Sequence, residues 1–360
     1  RRARQAIDAG ARGGEPLCCP LMETYDVVAR MHSEATDRFR PAWWCRGRHA
    51  QTVLGAFGRP GMRLLHQRHR WELPDGDFLD VDEASAEPGA PILLILHGLE
   101  SSSRSSQVVA LLQAAHRHGW LGVGVNFRSC GGSLNRLRRS YHAGDTADLA
   151  WVIQRLISEH PGSSVFCAGF SLGGNVLLKY LSEQADQAPE PLRAAAAIST
   201  PFDLAVSVRA IEQGFSRVYM RRLVRGLRRK TLAKLARFPD LVDRRALCAV
   251  RTVAEFDELV TAPVHGFASA TAYWAAASSG PGLGRIARPT LLINAQDDPF
   301  FPGEALPRQA IARNRHLTAE FPKAGGHMGF LSGRWPGAAT SWAVEHAMRF
   351  LRESSGSRGG

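Results

Sequence analysis

A chain of 360 residues, 44% of them hydrophobic, has material for one large core, which excludes the disordered and fibrous classes. Its formal net charge of +12 can signal nucleic acid or anionic membrane as a partner, or no more than a solvated helix face. Much of that excess is local, because residues 217–237 hold nine Lys or Arg and no Asp or Glu.

Residues 1–39 read as an N-terminal extension without the apolar core of a signal peptide. The chain begins without Met, so Met22 or Met31 is the expected natural start and the first twenty or so residues an upstream addition. Apolar runs are strand-sized, and no transmembrane helix is expected. The six cysteines (Cys18, Cys19, Cys45, Cys130, Cys167 and Cys248) show neither a Cys-x-x-Cys pair nor Cys/His ligand spacing. No metal, cofactor or redox motif is therefore expected, and free thiols without an export signal favour the cytoplasm.

Residues 62–73 and 78–82 read as two strands joined by the turn Pro74-Asp75-Gly76. From residue 91 apolar runs alternate with amphipathic helices: strand 91–96, helix 107–118, strand 120–127, helix 147–159, strand 165–168, helix 172–181, strand 194–198. The alternation resumes with strand 290–295, helix 304–312, strand 317–321 and helix 342–351, before a tail at 354–360 expected to be disordered. Such alternation indicates parallel βαβ units and a sheet buried on both faces, with the two early strands as an antiparallel edge. Residues 200–287 read as helical and interrupt the core, which would occupy 40–199 and 288–353. An insertion there would cap the carboxyl ends of the strands, where open α/β sheets bind ligands.

Gly169-Phe170-Ser171-Leu172-Gly173 is a G-x-S-x-G sequence with a strand before it and a helix after it, the setting in which a sharp turn lifts a serine hydroxyl clear of the backbone. A serine hydroxyl needs a base and an acid to orient that base, here expected in the order Ser, acid, His. His327, after Gly325-Gly326 and the last strand, is the expected base. Asp298, four residues before Pro302, is preferred as the acid, with Asp297 and Asp203 as alternatives. The oxyanion hole needs two backbone N–H donors; Leu172 follows the nucleophile, and Leu99 follows His97-Gly98 at the end of the first long apolar strand. Glu100 stands beside that loop and could orient it. Residues 126–132 could line the site or merely turn the chain. His49, His142 and His265 read as surface or structural histidines.

These residues, with several separated stretches, resemble the YheT-like branch of the α/β-hydrolase superfamily over residues 40–349. Trp43-Trp44 and Gly47-Arg48-His49-Ala50-Gln51-Thr52 resemble its N-terminal signature, and His97-Gly98-Leu99-Glu100 its oxyanion loop. Asn135-Arg136 with Tyr141-His142-Ala143-Gly144-Asp145-Thr146 resembles its next block. Segments at 200–204, 214–219, 256–258 and 261–263 look like its cap. Residues 294–299 and 325–330 look like its acid and base blocks. Ser101 departs from the Gly that commonly follows the oxyanion-loop Glu. The resemblance implies an α/β-hydrolase fold, Ser171, Asp298 and His327 in the triad positions, and action on short- to medium-chain acyl esters or acylglycerol-type lipids.

Two other readings use the same residues. One passes the acyl group to an alcohol acceptor. The other is a lipid-surface binding protein, with Leu223, Val224 and Leu227 on one face of a basic amphipathic helix lying on anionic membrane; the plainer alternative turns that face inward over the site. Nucleic acid is not an expected partner, because no basic-aromatic platform accompanies the charge.

Overall fold

The computed structural model describes residues 39–57 and 66–356. The expected extension up to residue 38 and residues 62–65 of the first expected strand lie outside them. Phe39, placed at the end of the extension by its sequence, packs its ring against Phe330 and Trp342 and belongs to the folded body.

Eight strands form one twisted sheet. They are β1 (Gln67–Glu72), β2 (Phe78–Ala84), β3 (Ile92–Leu96), β4 (Leu121–Asn126), β5 (Val165–Phe170), β6 (Leu192–Ile198), β7 (Thr290–Ile293) and β8 (Leu317–Glu320). Their spatial order is β1-β2-β4-β3-β5-β6-β7-β8. The β1–β2 and β2–β4 pairs are antiparallel and the rest parallel, so the two early strands do form the antiparallel edge. Gly76, at φ +80°, makes the turn between them, where its N–H donates to the Leu73 carbonyl.

Every residue of β3 and β5 is buried, as a sheet covered on both faces requires. Alternation divides β3 between two cores: Ile92, Leu94 and Leu96 face one layer, Leu93 and Ile95 the other. Around the sheet lie α1 (Arg48–Ala56), α2 (Ser106–Arg117), α3 (Thr146–Glu159) and α4 (Leu172–Gln184).

Between β6 and β7 the chain is helical, with α5 (Leu204–Ile211), α6 (Ser216–Lys234), α7 (Arg244–Ala249), α8 (Val253–Phe256) and α9 (Ala270–Ala277). A π-helical stretch, Asp257–Thr261, follows α8. These helices share an apolar cluster of their own, including Val208, Ile211, Met220, Val224, Leu247 and Phe256. Val224 is buried in it, with Leu223 and Leu227 packed alongside. The apolar face of α6 thus turns inward, as the plainer of the two alternatives has it.

Two further expectations change. The helix anticipated at 304–312 is a short 3₁₀ turn, Gly303–Ala305, and then α10 (Arg308–Ala312), because Pro307 cannot donate to the preceding turn and pushes Leu306 into an extended conformation. The last helix, α11 (Trp342–Gly356), includes residues 354–356 of the expected tail, and within it the Ser354 hydroxyl donates to the Phe350 carbonyl.

Candidate active site

Ser171 sits between β5 and α4 at φ +52° and ψ −118°, a conformation costing a non-glycine residue on the order of 1–3 kcal/mol. Its N–H donates to Ile198 of the neighbouring strand, and its carbonyl accepts from Asn175 one turn into α4. The turn is tight enough that a Cβ on Gly169 would lie 2.5 Å from the Gly173 carbonyl oxygen, and one on Gly173 2.6 Å from that of His97. This close approach is why small residues flank the serine.

His327 brings Nε2 to 3.0 Å from Ser171 Oγ and Nδ1 to 2.9 Å from Asp298 Oδ2. The geometry suits a neutral imidazole that donates from Nδ1 to Asp298 and accepts the serine proton at Nε2. Asp298 is buried, and its Oδ1 also accepts the Phe300 N–H at 2.7 Å. The Phe300 ring stacks on His327 with centroids 4.0 Å apart, which fixes the plane of the imidazole. Asp297, the alternative acid, instead accepts the Gly326 N–H at 2.9 Å. Burial raises its carboxyl above the usual range. Asp203 caps α5 by accepting the Val206 N–H and stays at the surface.

The histidine loop is held from far away in sequence. The His327 N–H donates to Thr52 Oγ1 at 2.9 Å, and that hydroxyl donates to the Arg48 carbonyl. Gln51, fully buried, accepts the Leu331 N–H and donates to the carbonyls of Cys45 and Leu331. The stretch 48–52 therefore clamps the loop, a role that neither its composition nor its charge announces.

Leu99 and Leu172 both line the cavity beside Ser171, and among the described residues neither N–H donates to a protein acceptor. Beside them, His97 is fully buried, and burial pushes its pKa down to about 4. Its Nε2 accepts the Phe127 N–H, so the neutral ring carries its proton on Nδ1 and donates to the Gly98 carbonyl at 2.7 Å. Glu100, at φ +54°, donates its N–H to the Tyr141 hydroxyl, which donates back to its carboxylate. Lys230 of α6 donates to the same carboxylate at 2.9 Å. Glu100, expected to stand beside this loop and orient it, is tied to both the core and α6.

Ser171 and His327 open onto a cavity of about 230 Å³, with apolar walls that include Leu204, Val208, Leu223, Leu227 and Val260. His142 and His265, whose rings pack 4.4 Å apart, line it as well. Burial holds them neutral, with pKa values of about 4 and about 3. Burial also pushes Asp257 up to about 6, although Trp274 and Thr261 donate to its carboxyl. On the other side of the site a wider hollow reaches the surface past Val53, Phe57, Arg104 and Arg222. Residues 126–132 do both things expected of them: Arg128 and Ser129 line the cavity, while buried Arg128 is paired with Asp75, Asp77 and Asp148, and Asn126 holds Ser103.

The family model for the alpha/beta hydrolase fold matches residues 91–333, and the chain belongs to that family. Its similarity to a candidate esterase, YheT, of Escherichia coli is 38% identity, covering 79% of this chain and 84% of the relative. The monoacylglycerol lipase of Saccharomyces cerevisiae is 31% identical over 80% of this chain and 64% of its own length. Human phospholipase ABHD3 is 27% identical over 91% and 80%. Among solved structures, an esterase of Pyrococcus furiosus, Pf2001, superposes with a TM-score of 0.54 at 16% identity, covering 82% of this chain and 92% of that one. That likeness is one of fold.

Proposed function

We propose that the chain hydrolyses carboxylic esters through an acyl-enzyme on Ser171. That it is an esterase-type hydrolase follows from its family and relatives. The observation that carries the mechanism is the line of contacts Ser171–His327–Asp298, at 3.0 and 2.9 Å, beside two undonated backbone N–H groups. Ser171 Oγ attacks the carbonyl carbon while His327 Nε2 takes its proton. Asp298 stabilises the imidazolium, and Leu99 and Leu172 N–H receive the oxyanion, each such donor contributing about 2.7–4 kcal/mol in a comparable site. His327 returns the proton to the leaving alcohol as the C–O bond breaks. Water then attacks the acyl-enzyme by the same route, releasing the acid and restoring the serine.

The apolar walls suit an acyl chain, the family resemblance supports short- to medium-chain acyl esters or acylglycerol-type lipids, and the helical segment between β6 and β7 acts as the cap over the acyl chain. A peripheral contact with anionic membrane belongs to this reading too. The test is turnover of p-nitrophenyl esters of increasing acyl length by wild type and Ser171→Ala. The expected result is a fall in kcat of roughly 10⁴–10⁶ with folding intact. A variant near full activity removes Ser171 from the reaction. Adding a competing alcohol and finding ester product in excess of acid would make the protein an acyltransferase.

A further inference from the structure

The inward turn of the α6 apolar face leaves its outer face to be explained. Arg217, Arg221, Arg225 and Arg229 follow one another every four residues, which places them along one side of the helix, and Arg222 lies beside them. All five are exposed. Among the described residues, the one ion pair made from α6 is that of Lys230 with Glu100, on the other side of the helix. The arginine row therefore presents uncompensated positive charge to solvent.

The charge does not stand alone. At the start of the helix Phe215 and Val218 are 54% and 51% exposed, and on the neighbouring α1 Val53 and Leu54 are exposed, as is Phe57 beyond its end at 67%. The two elements meet: His49 contacts both Phe215 and Tyr219, and Val53 shares a surface depression with Val218, Arg221 and Arg225. The wider hollow that leads to His327 opens between them, lined by Val53, Phe57, Tyr219 and Arg222. Large apolar side chains left in water beside unpaired arginines, around the entrance to an apolar cavity, match an interface that is apolar inside and anionic outside. A nucleic acid backbone would satisfy the arginines but leave the phenylalanines and valines in water.

We propose that this face, made by the outer side of α6 with Phe57, Val53 and Leu54, docks on an anionic lipid surface and points the entrance of the site at it. Phe215, Val218 and Phe57 enter the headgroup region while the arginines meet lipid phosphates. The inference deepens the ester-hydrolase reading, on which it rests only for what the docked site would take up.

Sedimentation with phosphatidylcholine vesicles, with and without phosphatidylglycerol, tests it on the full chain. Wild type is expected to bind the anionic vesicles, to bind the neutral ones far less, and to be released by salt. Arg221→Gln with Arg225→Gln should weaken anionic binding by roughly twenty-five-fold, about fivefold for each cation removed. Phe215→Ser with Val218→Ser should weaken it by about tenfold or more with the charge unchanged. Both double variants should turn over a soluble p-nitrophenyl ester like wild type and lose rate only on ester carried in anionic vesicles. Equal binding to both vesicle types, or binding indifferent to both variants, overturns the proposal, as does preferential binding to duplex DNA. Soluble-ester turnover separates the two readings: vesicle binding without it leaves the docking face standing and removes the hydrolase.

Discussion

His97 shows how a residue that looks like a strand-ending turn can be a structural fastener. Its ring joins the Phe127 N–H to the Gly98 carbonyl only in the neutral form, and its burial excludes a second proton. Because its pKa is lowered in the folded chain, its contribution is complete above about pH 6.5 and is lost as pH falls toward about 4, where the unfolded chain takes up a proton first. His97→Gln can keep one donor and one acceptor without titrating. Between those limits wild type should lose stability relative to His97→Gln by about 1.4 kcal/mol per pH unit, measured by denaturant unfolding at several pH values. Parallel pH curves would remove the buried imidazole as the cause. The same scale separates Asp298 from Asp297. Adjacent in sequence, one reaches the imidazole and the other fastens Gly326, and only the direction of each side chain tells them apart.

At the scale of the element, α6 has two working sides. The inner side approaches the loop of Leu99 and Glu100 so closely that a Cβ on Gly226 would lie 2.4 Å from Glu100 Oε2, while Lys230 one turn later grips the same carboxylate. Gly226→Ala raises helix propensity by about 1 kcal/mol. It must also displace the Glu100 carboxylate, the group through which α6 holds the loop that carries the Leu99 N–H. Expected is a fall in kcat on the order of tenfold with KM little changed and thermal stability held or increased. Unchanged kcat in a well-folded variant would mean that α6 does not position the loop. Helix spacing made the apolar face of α6 legible in the sequence. It was silent on whether that face meets lipid or protein, because the partner cluster of Val208, Leu247 and Phe256 is assembled from other helices.

Across the whole molecule the site draws on residues 52, 99, 171, 298 and 327, and the bond from His327 N–H to Thr52 joins positions 275 apart. Thr52→Val keeps the shape and deletes the acceptor, leaving a buried N–H unpaired. A loss of about 1–3 kcal/mol in stability is expected, together with reduced kcat as the imidazole loosens. Full activity and stability in this variant would show that the histidine loop holds itself. Local chemistry was enough to read the alternation of strands and helices and the strand-turn-helix around Ser171, since each depends on neighbours within a few positions. Those patterns also sufficed for the mixed sheet and its antiparallel edge, because an apolar run buried on both faces reads differently from a turn-linked pair. Other features have no local signature: the clamp of Gln51 and Thr52 on the histidine loop, the hold of Lys230 on Glu100 and the stacking of Phe300 on His327. Each is a contact between segments far apart in the chain, and only packing decides which side of a helix faces protein and which is left to water.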